Sequence, residues 1–237
     1  ASWRVQAVKR GERRRRPSAP YRTSTLQQDA SRRLGFTARR TMALAQQLYE
    51  GMVLDGNEGV GLITYMRTDS VNVSLKAQEQ ARVFVRDQYG KGFVPHKSPT
   101  YKGSKGAQEA HEAIRPTKVE SSPSALKTSL SRDQYRLYKL IWQRVLASQM
   151  ADAIYDTLRV DVLAQGQAHR YDFRATGVSI RFAGFLRVYQ PVPDENGGRE
   201  EESAEIPTLQ EDEPLLLQKL LPEQSFTKPP PRYSEAT

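Results

Sequence analysis

Hydrophobic spacing changes twice along this chain, and the two changes leave few folds open. Trp3, Val5 and Ala7 alternate with Arg4, Gln6 and Val8, the two-residue repeat of a half-buried strand. The spacing then becomes helical, and from Tyr155 it returns to two: Leu158, Val160 and Val162 alternate with Arg159 and Asp161. Beyond Gly166, Tyr171, Phe173 and Ala175 alternate with Arg170, Asp172 and Arg174, so a hairpin is expected there. A lone first strand, here expected to end before Gly11, is unstable unless it pairs with the later ones. The chain should therefore be multidomain α and β, a helical domain inserted into a small antiparallel β domain. Residues 1–24 and 152–223 are assigned to the β domain, 25–151 to the helical domain, and 224–237, with Pro229 to Pro231, to an extended exit segment.

Inside the block, Ser24 and Gln27 have capping-box spacing ahead of Leu26, Ala30 and Leu34. Gly35-Phe36-Thr37 breaks that helix and caps a second, with Met42, Ala45, Leu48 and Tyr49 on one face and Gly51 as its stop. Ser74 should open a third helix that ends at Gly90, with Ala77, Ala81, Phe84 and Val85 on its buried stripe. Gly92 to Pro123 reads as connection, with a turn or two of helix between Ala107 and Ile114. Ser131 and Gln134 form a second capping box before the apolar series from Tyr135 to Met150. Toward the end, Ile180 to Val188 predicts another strand or two, Asp194 to Glu205 an acidic surface loop, and Pro214 to Leu221 a last strand.

Charge narrows the partners. Over 237 residues, 36 Lys and Arg against 27 Asp and Glu leave a net +9, which favours a polyanion such as nucleic acid. Arg13 to Arg16 taken alone is a solvated loop or flexible arm. The absence of cysteine from these residues excludes disulfides, thiolate metal sites and cysteine nucleophiles, and three histidines leave little room for a histidine metal cage. No apolar stretch approaches the roughly 20 residues of a membrane helix, and the first residues lack the layout of a signal peptide. Neither a membrane protein nor a secretory precursor is expected. There is no G-x-x-x-x-G-K-[ST], no G-x-G-x-x-G and no D-x-D cluster, so neither nucleotide binding nor a self-contained two-metal site is predicted.

Chemistry is densest at Gly61-Leu62-Ile63-Thr64-Tyr65-Met66-Arg67-Thr68-Asp69-Ser70. A phenol in water is only about 0.1% ionised at pH 7, so it becomes a nucleophile with a cation or base beside it. If the segment is extended, Tyr65 and Arg67 face the same side, and the guanidinium fork could hold a phosphate under the phenol oxygen. Taken alone, these residues more simply read as an edge strand, with the tyrosine stacked on neighbours and Arg67 paired with Asp69. A second dense segment, Gln108-Glu109-Ala110-His111-Glu112-Ala113-Ile114-Arg115-Pro116-Thr117, has Arg115 where the second histidine of H-E-x-x-H would stand, which rejects a zinc protease. On a helix, His111 and Arg115 would share a face and offer two donors to a phosphate oxygen. A helix-end histidine bonded to Glu109 or a carbonyl is the plainer alternative.

Taken together, G-L-I-T-Y-M-R-T-D-S at 61–70 and A-Q-E-A-H-E-A-I-R-P-T at 107–117 resemble the active-site signatures of bacterial type IA DNA topoisomerases. Thr23-Ser24-Thr25-Leu26-Gln27-Gln28, Leu34-Gly35-Phe36, Ala45 to Glu50, Leu140-Ile141-Trp142 and Phe226 to Pro230 agree with that family, so the resemblance runs essentially end to end. It implies a toroidal enzyme in which the helical domain carries the nucleophile and the β domain is an arm. The implied activity is ATP-independent relaxation of negatively supercoiled DNA by strand passage. Under this resemblance Tyr65 attacks a single-stranded phosphodiester to form a 5′-phosphotyrosyl link, Arg67 neutralises the scissile phosphate, and His111 binds DNA nearby and helps set protonation. Thr68, Asp69 and Arg115 carry over as supports or DNA contacts. No counterpart of the family's Toprim domain, which supplies acidic Mg2+ ligands, occurs in these residues. Mg2+ is therefore expected in the full-length enzyme with no metal ligands here, and relaxation by this chain alone is not expected. The implied partners are single-stranded segments of supercoiled DNA together with the Toprim and remaining arch domains, in the bacterial cytoplasm at the nucleoid. A noncatalytic module that binds single-stranded DNA through basic grooves and stacked aromatics is the rival reading.

Overall fold

The computed structural model describes residues 2–54, 57–103, 111–190, 207–227, 229, 233 and 235. In chain order the elements are β1 (Ser2–Arg15), α1 (Thr23–Leu34), α2 (Ala38–Glu50), β2 (Met52–Leu54), β3 (Asn57–Val60), α3 (Leu75–Tyr89), α4 (Arg132–Ser148), β4 (Ala153–Gln165), β5 (Arg170–Phe182) and β6 (Pro214–Leu215). They fall into two compact units. One comprises Ala1–Arg15, Ala153–Ala183 and Pro193–Arg232, and the other Arg16–Asp152, Gly184–Val192 and Tyr233–Thr237.

The first unit is an antiparallel sheet in the order β5-β4-β1-β6. Its register sets Trp3, Ala164 and Tyr171 in one row and Val5, Val162 and Phe173 in the next. A bulge between Val5 and Ala7 then shifts β1 by one residue and brings Val8 level with Val160 and Ala175, which keeps the apolar side chains on one face. On the other face, hydrogen bonds from Arg159 and Arg174 hold the Asp161 carboxyl down, to about 2. β1 does not stop before Gly11. β4 offers partners as far as Ala153, and Arg13 lies opposite Tyr155 with its guanidinium 5.2 Å from the ring centroid, so Arg13 to Arg15 are strand rather than loop.

The C-terminal strands differ from expectation for equally local reasons. Ile180 and Phe182 finish β5, and Phe185 enters a short 3-10 turn at Gly184–Arg187 where it is buried in the helical unit. Gly184 makes that turn with φ +49°, in a space where a Cβ would lie 2.3 Å from the Asp152 carbonyl oxygen. β6 covers two residues instead of eight, with Pro214 opposite Arg4 and Leu215 opposite Trp3. Leu216, Leu220 and Leu221 are accordingly exposed. The acidic stretch from Asp194 to Glu205 and most of the exit segment beyond Thr227 lie outside the described residues.

In the helical unit α4 is the core, with Leu137, Tyr138, Ile141 and Leu146 fully buried. Its two buried polar-tipped rings satisfy themselves on the connection before the helix: Trp142 Nε1 donates to Val119 O at 2.8 Å and Tyr138 Oη to Ser121 O at 2.6 Å. The Ser131 capping box forms as expected, with Ser131 N–H to Gln134 Oε1 at 3.0 Å. α1 is capped two residues before Ser24: Arg22 is the N-cap, and its N–H donates to the Thr25 hydroxyl at 3.1 Å. On α2, Thr37 caps Arg40 N at 3.2 Å as the break at Gly35 predicts, and Ala45 and Leu48 are buried, but Tyr49 points outward.

One ionic cluster fastens the first turns of this unit to its end. Tyr21 and Tyr189 both donate to Asp29 Oδ2, Arg33 lies 3.3 Å from the same oxygen, and Arg144 donates to Tyr189 Oη at 3.0 Å and to Ala19 O at 2.6 Å. Burial alone would raise the Asp29 carboxyl, but the two phenol hydrogen bonds and the two guanidinium charges outweigh it and hold it below the usual carboxylate range. A depressed folded-state value contributes stability in full above the unfolded value near pH 4, and that contribution is lost as pH falls through the lower folded value. Asp29→Asn should therefore cost about 2–3 kcal/mol at pH 7. The gap between mutant and wild type in chemical denaturation should narrow steadily below about pH 4.

Candidate active site

The segment from Gly61 to Ser70 is held mostly by neutral hydrogen bonds. β2 and β3 form a hairpin behind α2 and return the chain to that helix at Gly61, where a Cβ would stand 2.6 Å from the Tyr49 carbonyl oxygen. That close approach lets Leu62 N–H reach Leu48 O at 2.7 Å. The segment then zips against residues 113–117. Thr117 N–H donates to Leu62 O at 3.0 Å, Ile63 bridges Pro116, and Thr64 N–H donates to Arg115 O at 2.9 Å. The Thr64 hydroxyl donates to Ala113 O at 2.7 Å while accepting Arg115 N–H at 3.0 Å. Farther on, Thr23 at the start of α1 accepts Thr68 N–H on its hydroxyl at 2.9 Å, and that hydroxyl lies 2.7 Å from Met66 O.

This lacing sets which side chains face out. Met66, Thr68 and Ser70 are buried, while Tyr65, Arg67 and Asp69 between them are exposed, with Tyr65 51% accessible. The segment bends at Thr64, Met66 and Arg67 rather than forming a regular strand, yet the alternation of an extended chain survives. The Tyr65 ring meets Tyr49 edge-on, with centroids 5.4 Å apart. Among the described residues no ion pair joins Arg67 to Asp69, so the edge-strand pairing that the residues alone favour is not formed. Thr68 is turned inward, and its hydroxyl receives Ser70 N–H at 3.1 Å.

The second segment departs from its helical expectation. Residues 104–110 lie outside the described residues, and 111–115 are not helical. Ile114 pairs with Tyr21 instead, its N–H 2.8 Å from Tyr21 O. His111 is exposed, but Arg115 does not share a helical face with it. The Arg115 guanidinium is turned onto Glu112, with Nη2 to Oε2 at 2.7 Å, and onto Pro116 O at 3.0 Å. Burial would raise the Glu112 carboxyl, and hydrogen bonds from Arg115 and Ser74 more than offset it. Three neighbours, Thr23, Thr64 and Tyr49, were not singled out by sequence reasoning as site residues. Only Thr64 carried a local signal, as one hydroxyl in a crowded motif. Among the described residues no group of three or more His, Cys, Asp or Glu side chains is placed to hold a metal ion, and no helix is long and apolar enough to cross a membrane.

Because the segment enters through the contact at Gly61, Gly61→Ala should destabilise the helical unit by about 2 kcal/mol in chemical denaturation. Gly92→Ala, where a Cβ meets nothing within 4 Å, serves as the near-neutral comparison.

Comparison with known proteins accounts for the whole chain. A family model described as DNA topoisomerase matches residues 1–237. DNA topoisomerase 1 of Xylella fastidiosa strain Temecula1 is 49% identical over 234 residues, 98% of this chain and 28% of that protein. DNA topoisomerase 1 of Rickettsia felis is 44% identical over 237 residues, all of this chain and 30% of that protein. The structure of full-length topoisomerase I from Thermotoga maritima superposes with a TM-score of 0.75 at 36% identity, covering 90% of this chain and 32% of that one. The chain thus spans less than a third of the length of these relatives, and it belongs to the bacterial type IA DNA topoisomerase family.

Proposed function

We propose that this chain carries the nucleophile of a DNA strand-passage enzyme, with Tyr65 as the attacking residue. The observation that carries the reading is the burial alternation at 65–70. It sends a phenol and a guanidinium to solvent on a backbone fixed from both sides. The phenol oxygen attacks the phosphorus of a single-stranded phosphodiester, the phosphorus–O3′ bond breaks, and the phosphoryl group stays on Tyr65 as a 5′-phosphotyrosyl ester. The phenol gives up its proton and the departing 3′-oxygen takes one. Reversal by that 3′-hydroxyl reseals the strand. Exchange of one phosphodiester for another is close to thermoneutral, which suits a chain with no nucleotide-binding loop.

Arg67 holds and neutralises the scissile phosphate, where charge builds up on the equatorial oxygens. His111 binds the DNA near the break and assists the proton movements, and exposed Asp69 lies beside the path of the strand. Thr68 and Arg115 act as braces, because their polar atoms are already engaged with Ser70 and Glu112. Among the described residues no group of three or more His, Asp or Glu side chains is placed for a metal ion; the family's Mg2+ would be held by Toprim residues elsewhere in the longer protein, and no step here runs through it. The full activity is relaxation of negatively supercoiled DNA on the bacterial chromosome, in concert with the Toprim and remaining arch domains. The 237-residue chain alone does not relax DNA.

The test uses the full-length Xylella relative with its matching segment replaced by this chain. A single-stranded oligonucleotide labelled at its 3′ end should transfer its label to protein, and Tyr65→Phe should abolish the transfer. Arg67→Ala should slow it by about 10²–10³-fold. Salt-sensitive binding with no covalent label would favour the noncatalytic single-strand-binding module instead.

A further inference from the structure

We infer that Thr23 is a positioning residue for the nucleophile, and that Tyr21-Arg22-Thr23 is a strut that sets both active-site segments at once. The inference rests on the reading of Tyr65 as the attacking group. The argument begins with hydroxyl arithmetic. A threonine hydroxyl has one proton to give and two lone pairs to receive with. At Thr23 the lone-pair side takes Thr68 N–H at 2.9 Å, and the proton side faces two carbonyls, Met66 O at 2.7 Å and Thr68 O at 3.0 Å. Thr23 N–H also donates to Thr68 O at 2.9 Å. One residue therefore grips the backbone on both sides of Arg67 and immediately after Tyr65.

Two residues earlier, Tyr21 O accepts Ile114 N–H at 2.8 Å, which fixes the segment that carries His111. The side chain of Tyr21 is anchored independently on Asp29. The strut cannot shift without carrying Met66, Thr68 and Ile114 with it. The Thr23 hydroxyl, engaged on the 66–68 backbone, takes no part in capping α1, which Arg22 and Thr25 cap instead. Positioning of this kind is worth a large factor in rate, because a reacting atom displaced by about 1 Å can lose 10²-fold.

In the same chimeric full-length protein, Thr23→Val keeps the shape and removes both hydrogen-bonding functions. Adduct formation should fall about 10–100-fold while the affinity for single-stranded oligonucleotide stays within twofold, and Thr23→Ser should restore the rate to within threefold of wild type. A loss of stability alone would not separate rate from affinity in this way, nor would it be repaired by serine, which loses the packed methyl. If Thr23→Val does not fold, Thr23→Cys takes its place, since a thiol is a weak donor and a weak acceptor, and the rate should drop in the same direction. A rate for Thr23→Val or Thr23→Cys within twofold of wild type, or a Thr23→Ser rate as low as that of Thr23→Val, overturns the inference. Persistence of the adduct in Tyr65→Phe would instead overturn the assignment of the nucleophile on which it rests.

Discussion

Thr64 joins the two motifs of the candidate site, bonding to residues 49 and 51 positions further along the chain. Its hydroxyl gives a proton to Ala113 O and takes one from Arg115 N–H, so the segment bearing Tyr65 and the segment bearing His111 are fixed in mutual register. A half-buried hydroxyl with both functions engaged contributes only about 1 kcal/mol net, yet leaving its partners unsatisfied costs more than making the bond gains. That asymmetry makes the register specific. Everything outward-facing on the segment follows from it, because shifting an extended chain by one residue would bury Tyr65 and Arg67 and expose Met66 and Thr68.

The polar economy of the helical unit is divided by function. Charges are drawn into clusters that brace the fold, with Asp29 among two phenols and two guanidinium groups, and Glu112 between Arg115 and Ser74 N–H. The outward positions at 67 and 69 are left to meet solvent. A guanidinium committed to a carboxylate has little left for a phosphate, so the contrast between Arg115 and Arg67 is a difference in availability that their shared side-chain chemistry does not reveal.

Much of the architecture was legible because it is written in short-range spacing. The alternations at 155–162 and 170–175 appear as β4 and β5, Ser131 and Gln134 close on each other as a capping box, and Thr37 caps α2. Elements misjudged from sequence are those whose limits depend on a distant partner. β1 outruns Gly11 because β4 continues beside it, β6 is limited to Pro214 and Leu215, the two residues that pair with Arg4 and Trp3, and Phe185 leaves the strand pattern because Gly184 turns it into the helical unit. At the site, composition drew attention to 61–70, and spacing alone put Tyr65 and Arg67 on one side. Neither indicates that Thr23 reaches Met66 or that Arg115 folds back on Glu112. Those contacts are tertiary, and a lone threonine before a helix looks like any other cap.

Among the described residues, the lacing around 61–70 contains hydroxyls and amides but no ion pair of its own. Dissolved ions screen Coulomb attraction over about 8 Å at physiological strength and barely touch neutral hydrogen bonds inside a packed segment. Raising ionic strength should thus weaken the hold of exposed arginines on a polyanion while leaving the backbone around Tyr65 at the same geometry. Under the proposed function, capture of a strand and readiness of the site therefore answer to different variables, and a cell's shifting electrolyte tunes the one without disturbing the other.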